Sequence, residues 1–250
     1  MASFTNNFNM HLKSVILILF LASALLISCR QQYSAEQIIK KSIEMHGGDV
    51  IDTATIKFDF RDIHYKASHN YGNFRYERWL KDSIHDVLTN QGFTRYINGQ
   101  QISLTEEEKT KFSNSVNSVI YFALLPYKLD DPAVNVQLTG ETQIEDEEYY
   151  ELKLTFDKSG GGTDYEDEFA YWISKKDWTM KYLAYYFHIN EGGTRFRKAY
   201  NQRIIDGVIF ADYHNFKGPF PYEVTQLDSL FNHNGLEFLS DIELKNIKVK

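Results

Sequence analysis

Along most of this chain, apolar and polar residues alternate with a period of two, the spacing of strands that bury one face. Residues 55–66 place Ile56, Phe58 and Phe60 on one side, and the stretches 74–80, 85–89 and 93–97 continue the pattern. The last of these turns at Asn98-Gly99 into 101–104. Asn-Gly is the strongest short hairpin signal, because both residues accept a positive φ. Residues 134–144, 149–156, 165–173, 179–189 and 194–200 extend the meander. Residues 203–205 then turn at Asp206-Gly207 into 208–216, and a final strand covers 237–249.

Three stretches change to the helical period. Ser34 caps residues 34–46, with Gln37 at the capping-box position and Ile38, Ile39, Ser42, Ile43 and Met45 as the apolar stripe; Gly47-Gly48 ends the helix in the left-handed region. Thr105 caps a second helix over residues 106–125, with Glu108 at the capping-box position and Pro126 as its stop. Its later half, VNSVIYFALL, is apolar on nearly every side, which predicts burial in a cleft or beneath a sheet. A short third helix is expected near 225–231. About ten strands with helices at three places, and no regular strand–helix alternation, argue against a parallel α/β fold. The expected fold is mainly β (α+β): one large curled antiparallel sheet, an open half-barrel, with two or three helices covering its concave face. Residues 180–189 are apolar on both faces, Met180, Tyr182, Ala184 and Tyr186 against Leu183, Tyr185, Phe187 and Ile189. A central strand covered on both sides and a strand lining an apolar cavity both fit that pattern.

The first thirty residues follow a different logic. Residues 1–13 carry no acid and end on Lys13, and residues 15–27 (VILILFLASALLI) are apolar apart from small residues. Thirteen residues are too few for a spanning helix, which needs about 20, and suit the core of a secretory signal. Leu26-Ile27-Ser28-Cys29 resembles the lipobox of bacterial lipoproteins, which implies diacylglycerol on Cys29 and cleavage between Ser28 and Cys29. Cys29 is the only cysteine, so no internal disulfide can form. The expected organisation is a signal peptide at 1–28, a lipidated tether at 29–33 and one domain at 34–250. The resemblance places the protein in the cell envelope, lipid-anchored at the outer membrane and facing the periplasm, since Arg30-Gln31-Gln32 contains no acidic residue.

Composition narrows the partners. The formal net charge is −7, and Lys13 is the only charged residue in 1–28, so the mature chain is more negative still. Such a surface repels nucleic acid, which is not an expected partner. Aromatic residues make up 15% of the chain, and they favour strands, fill cores and line ligand cavities.

The segments 34–48 (SAEQIIKKSIEMHGG), 112–135 (FSNSVNSVIYFALLPYKLDDPAVN) and 192–201 (GGTRFRKAYN) resemble an uncharacterised family of bacteroidete-type lipoproteins, which brings no established activity. The architecture resembles the periplasmic lipoprotein-carrier and outer-membrane lipoprotein receptor superfamily. That resemblance implies binding of acyl chains or lipoproteins inside a half-barrel covered by helices, without residue-level correspondence.

The candidate chemistry is sparse. Phe58, Phe60, Ile120, Phe122, Leu124, Tyr182 and Tyr186 are the candidate lining of a ligand cavity. A candidate polar site joins Asp164, Glu166, His188, Arg195 and Arg197, with Asp167 and Glu168 beside it; the carboxylates could equally be a solvated strand edge, and the arginines could pair with them or grip a ligand headgroup. The eight histidines show no tight metal spacing, and Ser113, Ser115 and Ser118 lack a nucleophile elbow. His46 reads as a cap at the end of its helix. No cofactor, metal or catalytic residue is assigned. A non-enzymatic binder of a hydrophobic ligand (acyl chain, lipid or lipoprotein), attached to the membrane through Cys29, is the leading reading. A structural subunit of an envelope complex and a periplasmic hydrolase using Glu166, His188, Arg195 and Arg197 are the alternatives.

Overall fold

A computed structural model of the chain describes residues 32–157, 167–188 and 192–250. The signal region, Ser28 and Cys29, Gly160 to Gly162, Asp164 and Glu166 lie outside the described residues. Residues 34–250 form one compact unit.

Helix α1 (Ala35–Met45) begins in the expected capping box: the Gln37 amide donates to the Ser34 hydroxyl (3.3 Å) and the Ser34 amide to the Gln37 side chain (2.9 Å). Two of the amides left open at a helix start are thereby satisfied. Ile38 and Ile39 are buried. The helix stops at Gly47, whose φ is +84° and where a Cβ would come within 2.2 Å of the Gly207 carbonyl oxygen, so only glycine fits. One further turn, α2 (Gly48–Ile51), follows without any break in the pattern to announce it.

Fourteen strands are described where about ten were expected. The first stretch divides into β1 (Thr55–Phe60) and β2 (Ile63–Asn70) at Arg61, which takes a φ of +54° without the glycine or asparagine that marks such turns. β3 (Asn73–Leu80), β4 (Ile84–Thr89), β5 (Gly92–Ile97) and β6 (Gln100–Gln101) follow, the last pair turning at Asn98 and Gly99, both at positive φ as Asn-Gly predicts. Then come α3 (Glu106–Ala123), β7 (Val134–Ile144), β8 (Glu147–Phe156), β9 (Glu168–Ser174), β10 (Met180–Phe187), β11 (Gly193–Ile205) and β12 (Val208–Lys217). A 3-10 turn at Val224–Gln226 leads into α4 (Leu227–Asn232), and β13 (Glu237–Ile242) and β14 (Leu244–Val249) close the chain.

All pairing is antiparallel, in two seven-stranded sheets: β14-β1-β2-β3-β4-β5-β6 and β13-β12-β11-β10-β9-β8-β7. The last strand, expected to be continuous, breaks at Glu243, so that β13 pairs with β12 while β14 pairs with β1. One segment therefore edges both sheets, and together they make the unclosed, curled surface of a half-barrel. β-Bulges flank the seam, between Tyr200 and Arg203 on β11 and opposite Lys57–Asp59 of β1 on β14. Bulges raise local twist and bend the strand, which is what a sheet needs where it turns a corner.

At the seam, Asp212 of β12 is buried, 3% exposed, and its carboxylate replaces the ladder bonds lost there. It accepts from the Leu244 amide (2.9 Å), from Arg203 (3.1 Å) and from the Asn201 side chain (2.7 Å). Arg203 also donates to the Leu244 carbonyl (2.7 Å), so both backbone groups of the first residue of β14 are held. Charge-assisted bonds of this kind are stronger than neutral ones.

His46 follows α1 and donates through Nδ1 to the Ser42 carbonyl (2.8 Å). It caps the helix as expected, but as a neutral ring: burial pulls its pKa down to about 4, against the smaller raising effect of its bond to Ser42. His69, in the core beside Tyr76 and Tyr127, is also drawn to about 4 by burial, with Lys128 adding to the effect. Between pH 6.5 and 4 the unfolded chain binds protons at these rings that the folded chain does not, so stability falls as pH falls through that window. For His46 alone the loss is expected to be roughly 2–4 kcal/mol. Urea unfolding at pH 7 and pH 4.5 checks this, and His46→Gln should flatten part of the slope.

Candidate functional site

The expected burial of the second helix is borne out by how α3 lies between the two sheets. Val116 and Ile120 are fully buried against Ile56, Phe58, Tyr65, Ala67 and Leu88 of the first sheet. On its other side, the Tyr121 hydroxyl stands 3.2 Å from that of Tyr171 on β9, and the Phe122 ring lies 5.5 Å from Tyr185 on β10. A helix touching both walls must be apolar around most of its circumference, which accounts for VNSVIYFALL. Burial keeps the Tyr121 hydroxyl protonated, its pKa raised to about 12, and pushes those of Tyr171 and Tyr213 higher.

Under the first half of α3 the wall is ionic. Arg78, Asp86 and Arg95 stand opposite one another on β3, β4 and β5. Asp86 is fully buried and takes two bonds from Arg78 (2.6 and 3.0 Å) and two from Arg95 (2.6 and 2.9 Å). Arg78 also donates to Ser115 of α3 (2.7 Å), and the Arg95 guanidinium lies 3.5 Å from the centre of the Phe112 ring. These contacts fix the helix to the sheet through satisfied charges. The signal for them was present: each of the three residues occupies a position in the otherwise apolar parity of its strand, as Arg78 does after Phe74 and Tyr76.

Beyond that anchor the helix is flanked by two hollows. The first, about 470 Å³ counted to its open mouth, lies between α3 and the seam of the sheets. Phe60, Val119, Phe122, Ala123 and Leu244 make it apolar, and Ser118 and Arg197 are its polar members. The second, on the other flank, is larger, about 1120 Å³, and more polar, lined by Asn117, Tyr127, Lys128 and Asp131 among aromatic residues.

Arg197 projects from β11 into the first hollow. Its guanidinium donates to the Tyr185 hydroxyl (3.0 Å) and lies 4.4 Å from the centre of the Phe122 ring. Its Nε is buried with no hydrogen-bond partner, and so is the side-chain oxygen of Asn215, its cross-strand neighbour on β12.

The predicted cavity residues divide among four places. Phe60 and Phe122 line the first hollow, Ile120 and Leu124 the second, and Phe58 is packed in the core between α3 and the first sheet. Tyr182 and Tyr186 face the other way. They pack with Trp172, Phe196, Val224, Leu227 and Phe231 beneath the segment that carries α4, on the face of the second sheet opposite α3. Strand β10 is thus two-faced because both its faces are covered, α3 meeting Tyr185 and the α4 segment meeting Tyr182. Residue parity could not say which face looked inward.

The predicted polar constellation is not assembled among the described residues. His188 bonds Asp167 (3.3 Å), stacks edge-on against Tyr186, and edges a shallow hollow with Glu168, Tyr222 and Glu223. Glu168 pairs with Lys153 (3.0 Å). Arg195 bonds the Thr194 carbonyl (2.8 Å) and lies over Phe187. Of the described members of the set, only Arg197 enters the cavity. Among the described residues, no cluster of three His, Cys, Asp or Glu side chains could hold a metal, and no helix is long and apolar enough to cross a membrane.

A model of DUF6503, a family of unknown function, matches residues 14–243. No curated protein matches the chain. Among solved structures, a LolA superfamily protein from Nitrosomonas europaea is similar at 13% identity and a TM-score of 0.51, over 87% of this chain and 94% of that one. A DUF1329 family protein from Desulfovibrio piger is similar at the same identity and TM-score, over 87% and 93%. At this identity the likeness concerns the fold, and it is the fold the sequence pattern predicted.

Removing the Asp86 carboxylate would leave two buried guanidinium groups without their anion. Asp86→Ala is therefore expected to cost about 3–5 kcal/mol in stability. Chemical denaturation checks it, and a loss under about 1 kcal/mol would mean that the triad contributes little beyond what water could replace.

Proposed function

This chain belongs to the DUF6503 family, and from its cavity we propose that it is a lipid-anchored protein of the cell envelope that holds a hydrophobic ligand between α3 and the two sheets, without catalysing a reaction on it. The apolar hollow walled by Phe60, Val119, Phe122, Ala123 and Leu244 carries this reading. Its wall is apolar with few polar groups, the usual make-up of ligand sites. The half-barrel fold shared with a LolA superfamily protein is consistent with it. The dispersal of His188, Arg195 and Arg197 over separate surroundings gives no support to the hydrolase alternative.

The anchor rests on the sequence: a short apolar run behind Lys13, then Leu26-Ile27-Ser28-Cys29. Two or more acyl chains on Cys29 would give stable attachment where one chain gives marginal binding. In this arrangement the domain stays at the membrane surface, close to a source of apolar ligands, and faces the periplasm.

Two experiments test the parts separately. Metabolic labelling with radioactive palmitate should mark the full chain in a bacterial host and fail to mark Cys29→Ser; equal labelling of both would remove the anchor. Native mass spectrometry of residues 34–250 from the same host, followed by lipid extraction, should reveal a bound acyl species. Ala123→Phe, which fills the hollow, should abolish it. A bare protein mass that stays unchanged after adding lipids would overturn the binding reading.

A further inference from the structure

Arg197 is out of place as a purely structural residue. Among the described residues, Arg78 and Arg95 share Asp86 and Arg203 holds Asp212, whereas the half-buried Arg195 and Arg197 have no anion; Arg195 is held instead by the Thr194 carbonyl and the Phe187 ring. The contacts of Arg197 are the Tyr185 hydroxyl and the faces of Phe122 and Tyr185, and its Nε is buried without a partner. Buried charges are ordinarily paired, and a guanidinium is built to grip two oxygens of one anion at once. Of the two arginines without an anion, Arg197 is the one that lines the apolar hollow.

We propose that Arg197 is the headgroup anchor of the cavity and that the ligand is an unesterified long-chain fatty acid, its carboxylate on Arg197 and its chain against Phe60, Val119, Phe122 and Leu244. This inference rests on the hydrophobic-binder reading and specifies its ligand. The charge of the site selects the head. Among the described residues lining the hollow Arg197 is the only charged one, so it balances one negative charge, and a phosphate monoester would bring more. The shape agrees, since a planar carboxylate matches the two-pronged guanidinium and Ser118 on the facing helix offers a further hydroxyl. The Phe122 and Tyr185 rings hold the guanidinium by cation–π contact.

The test uses residues 34–250, the compact unit that holds every described strand and helix, and two probes with the same chain: oleate and oleyl alcohol, titrated by calorimetry below their aggregation limits. The wild-type domain should bind oleate about ten- to a hundredfold more tightly than oleyl alcohol, the worth of a charge-assisted contact in a dry site. Arg197→Gln should bring oleate down to the level of the alcohol and leave the alcohol unchanged, and Arg197→Lys, which keeps the charge and loses the fork, should fall between. Equal wild-type affinities for the two probes would overturn the anchor while leaving a hydrophobic binder standing, and this comparison needs no variant. Tighter binding of dioleoyl phosphatidylglycerol than of oleate would likewise overturn it in favour of a phospholipid. Failure of all the probes to bind would overturn the anchor and the hydrophobic-binder reading together.

Discussion

The half-barrel depends on a buried carboxylate at the place where the sheet changes direction. Two seven-stranded sheets meet along β13 and β14, and the chain passes from one to the other at Glu243. A sheet that bends so sharply breaks its ladder, and unpaired backbone groups inside a protein are costly. Asp212 and Arg203 meet that cost by taking the amide and the carbonyl of Leu244, with Asn201 filling the remaining oxygen. The bulge on β11 supplies the extra residue that brings Asn201 and Arg203 to the same carboxylate. Without that node, β14 could not pair with β1 while β13 pairs with β12, and there would be no trough for α3 to occupy.

Helix α3 is the second constraint, and its two halves work differently. The first half is held by charge, through Ser115 on Arg78 and Phe112 on Arg95, both arginines bound to Asp86. The second half is held by apolar contact with both sheets, through Ile120 on one side and Tyr121 and Phe122 on the other. A helix pinned polar-end first keeps a fixed direction across the trough, and the hollows on its flanks follow from the spacing it enforces. Arg197 borders one of them at the end away from the Asp86 node, where no carboxylate of the described residues reaches it.

The two arrangements contrast in a way that separates stability from function. Buried ion pairs that are fully satisfied hold a fold in register. A guanidinium held by a tyrosine hydroxyl and two ring faces, without an anion, is left able to take one from outside the chain. The aromatic content serves both ends: the Tyr182, Phe196 and Phe231 cluster closes the far face of the second sheet, and Phe122 and Tyr185 frame the guanidinium.

What the sequence determined by itself was local or periodic. The capping boxes at Ser34 and Thr105, the left-handed stop at Gly47 and the Asn98-Gly99 hairpin each depend on neighbours within a few residues, and each is found where the pattern placed it. The antiparallel β class and the buried second helix were legible for the same reason, since period and helix polarity are properties of short windows. Tertiary structure decided the rest. The turn at Arg61-Asp62 and the break at Glu243 carry neither glycine nor asparagine, and the strand pairing on either side marks them instead. Strand β10 could not reveal that Tyr182 and Tyr186 face α4 while Tyr185 faces the trough, since both faces are apolar and parity alone has no inside. Arg78, Asp86 and Arg95 are well separated in sequence and become a unit only through strand register. Arg197 and Arg195 look alike in the sequence, two positions apart on one strand face. The register of β10, β11 and β12 and the placement of Phe122 set one against Phe187 and the other in the cavity.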